Sequence, residues 1–384
     1  MKIAFIHNEK KLGTGAHFIN DLIACRLRDS GVKVKNFYPK HPLIDAPHHL
    51  KGISNILFFY SLLEHKDEVL KYDIIQGTTY TPLAFLPFRI PVVSHFGSTS
   101  WGFLKAVPLA KDMDHELREI WLKLKKSKAI KELNVRTRRP LKDIAEIEKF
   151  VALRANAVIA TSQIVKSNLL DIGVSSEKIH VVPNAIEDYW FTHKPVQTSE
   201  KPALIFLGRI GSDAFTLKLK GIDRLVDYYQ RYPLLKKYTI GMTTDNHFVN
   251  WFKSEIQNHI FHVNLIKEKI PEILSDKAGS ILLITSRYEG FSLSLVEGMS
   301  QGLIPITYPV GIAPEIIQNG SNGFIVTSQN EGKKVIEYIL KLSKDDRYVL
   351  AQAARNTARA YASKAISNRL LTVYEETLKT KNRK

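Results

Sequence analysis

The chain has 384 residues, 44% of them hydrophobic, which predicts two α/β domains of ordinary size rather than one. Its formal net charge of +17 indicates an anionic partner, and nucleic acid, an anionic membrane face and phosphorylated substrates all meet that description. The single cysteine, Cys25, excludes an intramolecular disulfide framework, and we expect it to be a small buried residue on a helix.

The apolar runs are too short for membrane insertion. The segment 53–63 is the longest of them and is too short and too polar to span a bilayer. The run at the amino terminus predicts a first strand rather than a signal peptide. We therefore expect a cytoplasmic protein that either stays in solution or adheres to the inner face of the membrane.

The first 40 residues predict a βαβ unit, with strands at 2–7 and 32–38 around a helix at 16–29. Gly15 belongs to a glycine turn where a phosphate could approach the backbone. The dinucleotide fingerprint is incomplete, because Phe18 stands where its third glycine belongs and no acid ends the second strand. The pattern therefore argues against NAD.

Further strands are predicted at 73–77, 90–95, 157–162 and 178–184. His95 closes the second of these, at the carboxyl end where open α/β sheets bind ligands. A lone histidine at a strand end is also compatible with a structural role, so both interpretations stay open at this point.

The positive charge is concentrated in the segment 117–142. Leu117, Ile120, Trp121 and Leu124 recur at helical spacing, and residues 123–142 contain nine Lys or Arg against one acid. Such a helix is typical of binding to an anionic membrane surface, and equally typical of a core-facing helix with a solvated basic face. Nucleic acid is placed below both, because no recognised binding motif accompanies the charge.

A polar segment at 187–202 predicts a linker, and a strand at 203–209 opens the second domain. This strand ends at Arg209, and a helix follows from Ile222. Lys220 lies directly before that helix and is followed by a glycine.

The most informative segment is a strand at 280–285, a turn, and a helix that ends before Gly302. Glu289 lies on the turn and Glu297 in the second turn of the helix. A helix N-terminus favours phosphate, whereas two flanking carboxylates would repel it unless they accept hydroxyl groups. A nucleoside diphosphate sugar has this pattern, so we predict that Glu289 holds the sugar and Glu297 the ribose. The phosphates are predicted to bind the amides of Gly290, Phe291, Ser292 and Leu293. The alternative is an ordinary strand-turn-helix unit with two solvated acids.

This segment resembles a known family. Glu289 and Glu297 stand in Ser-x-x-Glu-Gly-Phe-Ser-x-x-x-x-Glu-Gly-Met-x-x-Gly-x-x-Pro, which is similar to the Glu-x7-Glu signature of the retaining glycosyltransferases of family 4. The segments 311–317 and 320–326 are similar to the next two blocks of that family. The fold implied is GT-B, two Rossmann-like α/β domains that face each other across a cleft.

The resemblance implies roles for single residues. Gly15 would lie beside the donor phosphates, and His95 would contact the donor sugar near the bond that breaks. Arg209 and Lys220 would neutralise the diphosphate, although this sequence departs from the family by a longer loop at 211–218, which makes Lys218 a rival for Lys220. The catalytic set is His95, Arg209, Lys220 and Glu289. The donor-binding set is Gly15, Arg209, Lys220, Glu289, Gly290, Phe291, Ser292, Leu293 and Glu297.

The implied domain plan has three parts. Residues 1–190 form an acceptor-side domain that carries the basic helix near 117–142, and residues 191–361 form the nucleotide-sugar domain. Residues 362–384 form a helix that returns to the first domain.

The implied activity is transfer of a sugar from a nucleotide sugar to an acceptor hydroxyl with retention of configuration. UDP is the base expected from its frequency in the family, and the acceptor is a lipid-linked or cell-surface glycan, as in polysaccharide biosynthesis. No metal and no cofactor are implied, since the nucleotide sugar is a substrate. Three alternatives stay open: a sugar-nucleotide epimerase, a glycoside phosphorylase, and a non-catalytic nucleic-acid-binding protein.

Overall fold

A computed structural model of the chain describes residues 1–8, 15–40, 54–133, 138–192, 198–211, 213–243 and 245–381. These residues divide into two compact units. The first unit comprises Met1–Trp101, Pro140–Ala185 and Tyr361–Lys384, and the second comprises Gly102–Arg139 and Ile186–Ala360.

The strands of the first unit form a parallel six-stranded sheet within the described residues, in the order β2-β1-β3-β4-β5-β6. They are β1 Lys2–Ile6, β2 Lys33–Phe37, β3 Ile74–Thr78, β4 Val92–Phe96, β5 Ala157–Ala160 and β6 Ile179–Val181. All six lie in segments that the sequence predicts as strands, and these predictions are confirmed. Strands β4 and β5 are buried along their whole length, as expected for a parallel sheet covered by helices on both faces.

The second unit contains another parallel six-stranded sheet within its described part, in the order β12-β11-β10-β7-β8-β9. Its strands are β7 Leu204–Arg209, β8 Lys237–Met242, β9 His259–Val263, β10 Ile281–Ile284, β11 Ile304–Thr307 and β12 Phe324–Ile325. The predicted strands at 203–209 and 280–285 are confirmed as β7 and β10, which are direct neighbours.

The helices cover the faces of the two sheets. In chain order they are α1 Gly15–Asp29, α2 Ser54–Leu63, α3 Lys66–Val69, α4 Ser100–Ala106, α5 His115–Lys126, α6 Arg138–Arg154, α7 Gln163–Asp171, α8 Tyr189–Thr192 and α9 Ala214–Leu219. They continue with α10 Ile222–Arg231, α11 Asn246–Glu255, α12 Ile270–Leu274, α13 Leu293–Ser300, α14 Ala313–Ile316, α15 Gln329–Lys341, α16 Lys344–Ala358 and α17 Ser363–Lys381. In the part of the chain that the structure describes, no helix has the length and apolar character needed to cross a bilayer.

The basic helix α5 lies in the second unit, whereas the predicted boundary placed it in the first domain. Its apolar residues Leu117, Trp121 and Leu124 are buried, and the helix packs against α10. The indole of Trp121 donates a hydrogen bond to Asp223 Oδ2 at 3.1 Å. The apolar face of α5 is therefore part of the core of its unit, and the basic face points to solvent.

Helix α17 belongs to the first unit and packs against α1. Arg26 Nε of α1 donates to Ser363 Oγ at 2.8 Å, which fixes the start of α17. The same helix α1 corrects one expectation: Cys25 is exposed rather than buried. Residues 19, 23, 24 and 27 form the buried stripe of α1, and position 25 falls outside that stripe.

The segment 211–218 is predicted as a loop longer than that of the family, but the structure shows a helix there. It contains most of α9, whose N-terminus is capped by Asp213. The Asp213 carboxylate accepts from the backbone N–H groups of Phe215 and Thr216. The extra residues of this segment therefore form a helix that ends directly before Lys220.

Candidate functional site

The candidate site lies where β10 passes into α13, as the sequence predicts. Strand β10 ends at Ile284 and helix α13 begins at Leu293. Ser292 directly precedes the helix with a φ of 80°, a left-handed conformation that is unusual for a residue with a Cβ. Strain of this kind persists where the surroundings hold it, which is common at functional sites. The first turn of α13 leaves backbone N–H groups without partners inside the helix.

The turn before α13 is held from the other side by the segment that begins at residue 311. The backbone N–H of Ile312 donates to the Phe291 carbonyl at 2.8 Å. A Cβ on Gly311 would lie 2.3 Å from the same carbonyl oxygen, so the close approach requires glycine there. Phe291 and Gly290 are buried in this arrangement. Two of the segments that resemble the family thus form one packed structure.

Glu289 and Lys220 meet directly, although they are 69 positions apart. Lys220 Nζ lies 2.6 Å from Glu289 Oε1, and the side chains are 18% and 17% exposed. Ser286 Oγ donates to the same carboxylate oxygen at 2.7 Å. The predicted sugar-binding acid and the predicted diphosphate-binding lysine therefore occupy one partly open site.

Lys220 is placed by the turn that links α9 to α10. Gly221 follows it with a φ of 63°, and a Cβ at that position would lie 1.9 Å from the Thr285 carbonyl oxygen. Thr285 Oγ1 donates in return to the Lys220 carbonyl at 2.8 Å. The turn is therefore locked against the carboxyl end of β10, which brings the lysine to Glu289.

Lys218 has a different environment from Lys220. Its side chain is 1% exposed, and its Nζ donates to the carbonyls of Pro108 at 3.1 Å and Leu133 at 2.7 Å. The ammonium thus binds backbone groups of the segment that includes α5. Of the two rival lysines, Lys220 is the one that faces Glu289.

Two residues that support the site have no assigned role in the sequence reasoning. Arg287 binds Asp223 through two hydrogen bonds, at 2.8 and 2.6 Å. Arg287 also donates from Nη1 to the Lys218 carbonyl and from its backbone N–H to the Leu219 carbonyl. Asp223 is fully buried. Arg287 lies inside the recognised motif, but no local signal in the sequence singles out Asp223.

Arg209 ends β7 and its side chain is exposed. The preceding residue, Gly208, lies so close to α13 that a Cβ there would be 3.0 Å from Ser294 Oγ. Arg209 therefore follows directly on a backbone position that touches the first turn of α13.

Glu297, in the second turn of α13, is buried and forms an ion pair with Lys267. Lys267 Nζ lies 2.8 Å from Glu297 Oε1 and 2.6 Å from Glu187 Oε1. Burial raises the pKa of the Glu297 carboxyl, and the neighbouring ammonium of Lys267 opposes that rise. Glu297 is predicted as a site residue from its motif, whereas no sequence pattern indicates a role for Lys267 or Glu187.

The sequence profiles of two protein families match this chain. The profile "Glycosyl transferases group 1" matches residues 192–363, and the profile "Glycosyltransferase Family 4" matches residues 22–188. The chain belongs to glycosyltransferase family 4. The family predicted from the motif around Glu289 and Glu297 is thereby confirmed.

Curated relatives of this family 4 chain match over part of their length. A protein of Klebsiella pneumoniae, described as an uncharacterized 41.2 kDa protein in the cps region, is 27% identical over 197 residues, 49% of this chain and 52% of that protein. The MMP alpha-(1->4)-mannosyltransferase of Mycolicibacterium hassiacum is 24% identical over 243 residues, 61% of this chain and 57% of that protein. The chain spans about half the length of the curated relatives it matches.

Solved structures are similar over nearly the whole chain. Sucrose-phosphate synthase from Thermosynechococcus elongatus has a TM-score of 0.77 at 15% identity and covers 99% of this chain and 100% of its own. HepE from Anabaena, solved in complex with UDP and glucose, has a TM-score of 0.65 at 17% identity and covers 98% of this chain and 100% of its own. The GT-B fold predicted for this glycosyltransferase family 4 chain is confirmed.

Two predicted site residues lie in the first unit. His95 is buried in β4, and burial lowers the pKa of its imidazole to about 4, so the ring is neutral at pH 7. Gly15 is the first residue of α1, and the residues just before it lie outside the described ones. The roles of His95 and Gly15 toward the donor stay predictions.

A cavity of about 150 Å³ in the first unit is lined by Trp101, Glu148 and Asn168, among others. The carboxylate of Glu148 accepts from the backbone N–H of Ser100 at 2.8 Å and from its hydroxyl at 2.9 Å. Burial raises the pKa of Glu148 to about 7. Both oxygens of this acid thus serve to fix the segment that follows β4.

The described residues contain no group of three or more His, Cys, Asp or Glu side chains arranged to hold a metal ion. Among the positive charges described above, Lys220 pairs with Glu289 and Lys267 pairs with Glu297.

Proposed function

We propose that the protein is a retaining glycosyltransferase that moves a sugar from a nucleoside diphosphate sugar to an acceptor hydroxyl. The observation that carries this proposal is the ion pair of Lys220 with Glu289 beside the strained start of α13. Such a donor carries a complementary group for each of the two side chains. The diphosphate would take the ammonium of Lys220, and the sugar hydroxyls would donate to the carboxylate of Glu289.

The transfer step follows from where charge develops. The bond between the anomeric carbon and the diphosphate oxygen breaks, and the bond to the acceptor oxygen forms on the same face of the sugar. Negative charge then collects on the leaving diphosphate, where Lys220, Arg209 and the amides from Gly290 to Leu293 would stabilise it. A diphosphate oxygen takes the acceptor proton, so the step balances without a protein nucleophile, a metal or a cofactor.

The donor is proposed to carry uridine. The support is the HepE structure, which was solved with UDP and glucose and has the same fold. Glu297 would then accept hydrogen bonds from the ribose hydroxyls, and the second unit would be the nucleotide-sugar unit.

The acceptor is proposed to be a glycan or lipid-linked glycan in polysaccharide assembly. Support comes from the Klebsiella pneumoniae relative, whose description places it in a cps region. The exposed basic face of α5 would hold the protein at the anionic cytoplasmic surface where lipid-linked acceptors lie.

The test is product analysis after incubation with UDP-, GDP- and ADP-sugars and with lipid-linked and soluble acceptors. Proton NMR of the new glycosidic bond reports its configuration, and we expect the configuration of the donor, with full activity in EDTA. Free sugar and nucleotide with no acceptor product would favour an epimerase. A requirement for inorganic phosphate would favour a phosphorylase. A product of inverted configuration would overturn the mechanism.

A further inference from the structure

Three side chains of the second unit form a largely buried cluster: Glu187, Lys267 and Glu297. They come from distant segments: residue 187 lies two positions before α8, residue 267 follows β9, and residue 297 lies in α13. The side chains are 12%, 14% and 7% exposed. One ammonium holds two carboxylates, at 2.6 and 2.8 Å. We call these residues the Glu187–Lys267–Glu297 cluster.

The cluster has a fixed geometry. The indole N–H of Trp190 in α8 donates to Glu187 Oε2 at 3.2 Å, so the Glu187 carboxylate is held on both of its oxygens. Helix α8 packs against α13, which carries Glu297. Lys267 therefore pairs with one carboxylate that Trp190 holds in place and with the Glu297 carboxylate of α13.

The charge of the cluster is negative in sum, because two carboxylates share one ammonium. In the described part of the chain, Tyr189 and Glu268 are titratable neighbours of the cluster. Burial, and then the charges of Glu187, Glu297 and Glu268, raises the pKa of the Tyr189 hydroxyl, so it stays neutral. On α16, which also packs against α13, Arg355 Nε donates to the Ser300 carbonyl at 3.0 Å rather than to the cluster. A cluster with a net negative charge attracts hydroxyl donors and repels phosphate.

We propose that Lys267, held by Glu187, is a positioning residue that keeps the Glu297 carboxylate ionised and oriented to accept the ribose hydroxyls of the nucleotide. This inference rests on the proposed function. A buried carboxylate without a cation takes up a proton and loses acceptor capacity. With Lys267 present, Glu297 keeps an anionic acceptor for the ribose, while the surplus negative charge directs the diphosphate to the first turn of α13.

The test compares UDP with 2′,3′-dideoxy-UDP by calorimetric titration of the whole protein. GDP and ADP, each with its dideoxy analogue, serve if UDP does not bind. We expect the wild type to bind the ribose form at least about tenfold more tightly at pH 7, about 1.4 kcal/mol. In Lys267→Met the ratio of the dissociation constants of the dideoxy and ribose forms should fall below about threefold at pH 7. This ratio should recover as the pH rises and Glu297 ionises. Adding Glu187→Gln should restore part of the ratio at pH 7, because it removes the repulsion between the two acids.

Controls separate this role from a structural one. Lys269→Met changes an exposed lysine two positions away and should leave the ratio unchanged. Lys267→Gln, a less drastic change, keeps the test available if the Met variant does not fold. If the role of Lys267 is purely structural, its substitution would weaken the binding of both nucleotide forms equally and at every pH. That result would overturn the inference. If the wild type binds no nucleoside diphosphate at all, the proposed function itself fails.

Discussion

Lys218 and Lys220 are two positions apart, but Lys218 is buried against backbone carbonyls whereas Lys220 is partly exposed and pairs with Glu289. The two lysines are therefore a matched pair for experiment. Lys220→Met should lower kcat/KM by at least about 10²-fold with little loss of stability, because it removes the charge that we propose neutralises the diphosphate. Lys218→Met should leave the donor KM of the folded protein nearly unchanged. It should cost about 1–3 kcal/mol of stability, since it removes the donor to the Pro108 and Leu133 carbonyls.

Steady-state kinetics and urea unfolding of both variants check this assignment. The opposite pattern, with activity lost only in the Lys218 variant, would exchange the roles of the two lysines. Such a result would contradict the role that the ion pair with Glu289 suggests for Lys220.

Arg209 and Glu289 carry the strongest predictions for turnover. Arg209→Ala or Glu289→Ala should each reduce turnover by at least ~10²-fold, about 2.7 kcal/mol in the barrier. Arg231→Ala, an exposed arginine in the last turn of α10, is the matched control and should behave as wild type. Near-normal transfer by a folded Arg209→Ala protein would refute its assigned role.

The buried His95 gives a prediction for stability against pH. Its pKa is about 4 in the folded protein and near 6.5 when unfolded, so the unfolded chain binds more protons between these values. Its contribution to stability is therefore complete above pH 6.5 and is lost as the pH falls towards 4, on the order of 3 kcal/mol in total. In His95→Asn this loss should disappear, as urea unfolding at several pH values would show.

Glu148 provides the opposite case, because its pKa of about 7 is raised above the unfolded value. Its contribution is present below pH 4.5 and lost as the pH rises to 7. Because Glu148 changes the stability of the wild type in the opposite direction, the effect of His95 is measured as the difference in unfolding free energy between wild type and His95→Asn at each pH. An unchanged slope in His95→Asn would show that this histidine is not the buried neutral group described.

At the scale of single residues, the sequence predicts the acids of the site better than their partners. Glu289 and Glu297 stand in a short motif whose spacing places them on a turn and a helix. Lys267 and Asp223 meet their partners only through the order of strands and helices in the second unit. Pairings over such distances leave no local pattern in the chain.

At the scale of elements, α5 shows what helical spacing leaves undecided. The periodicity of Leu117, Trp121 and Leu124 indicates an apolar face, but the same face would suit a bilayer surface or a core. The decisive fact is its packing against α10, with the bond from Trp121 to the buried Asp223. Any attachment of α5 to a membrane is then electrostatic, through its exposed lysines.

This arrangement predicts how vesicle binding responds to charge and salt. Changing Lys125, Lys126 and Lys128 to Glu should reduce binding to anionic liposomes at low salt, and added salt should abolish binding of the parent protein. Vesicle co-sedimentation measures both effects. Reversal of the exposed Lys334, Lys341 and Lys364 makes the same change in net charge and serves as the control. No binding by the parent, or equal loss in the control, would end the membrane proposal.

Strands and helices differ in how well the sequence indicates them. The strands at 203–209 and 280–285 are predicted because they are continuous apolar runs, and they appear as β7 and β10. Strand β8 contains Lys237, whose buried ammonium donates to three backbone carbonyls. A buried lysine breaks the apolar pattern, and the two-residue β12 is too short to form one.

At the scale of the whole molecule, the family and the fold follow from ordered motifs, whereas domain boundaries depend on packing. The polar segment 187–202 is predicted as a linker between the domains, whereas the second unit resumes at Ile186 and so includes that segment. Residues 102–139 also belong to that unit, although they precede the linker in the chain. A change of composition along the sequence cannot reveal such an excursion, because the segment contacts helices more than 80 positions away.

The central claim concerns a nucleotide sugar bound at the first turn of α13, with its diphosphate at Lys220 and Arg209. Calorimetric titration of the whole protein with UDP-, GDP- and ADP-sugars tests it most directly. The account predicts that one of these nucleotide sugars binds saturably, with one molecule bound to each chain. The Lys220→Met protein should bind the same nucleotide sugar at least about tenfold more weakly. No binding of any of the three at millimolar concentration, or equal affinity in the Lys220→Met protein, would contradict it.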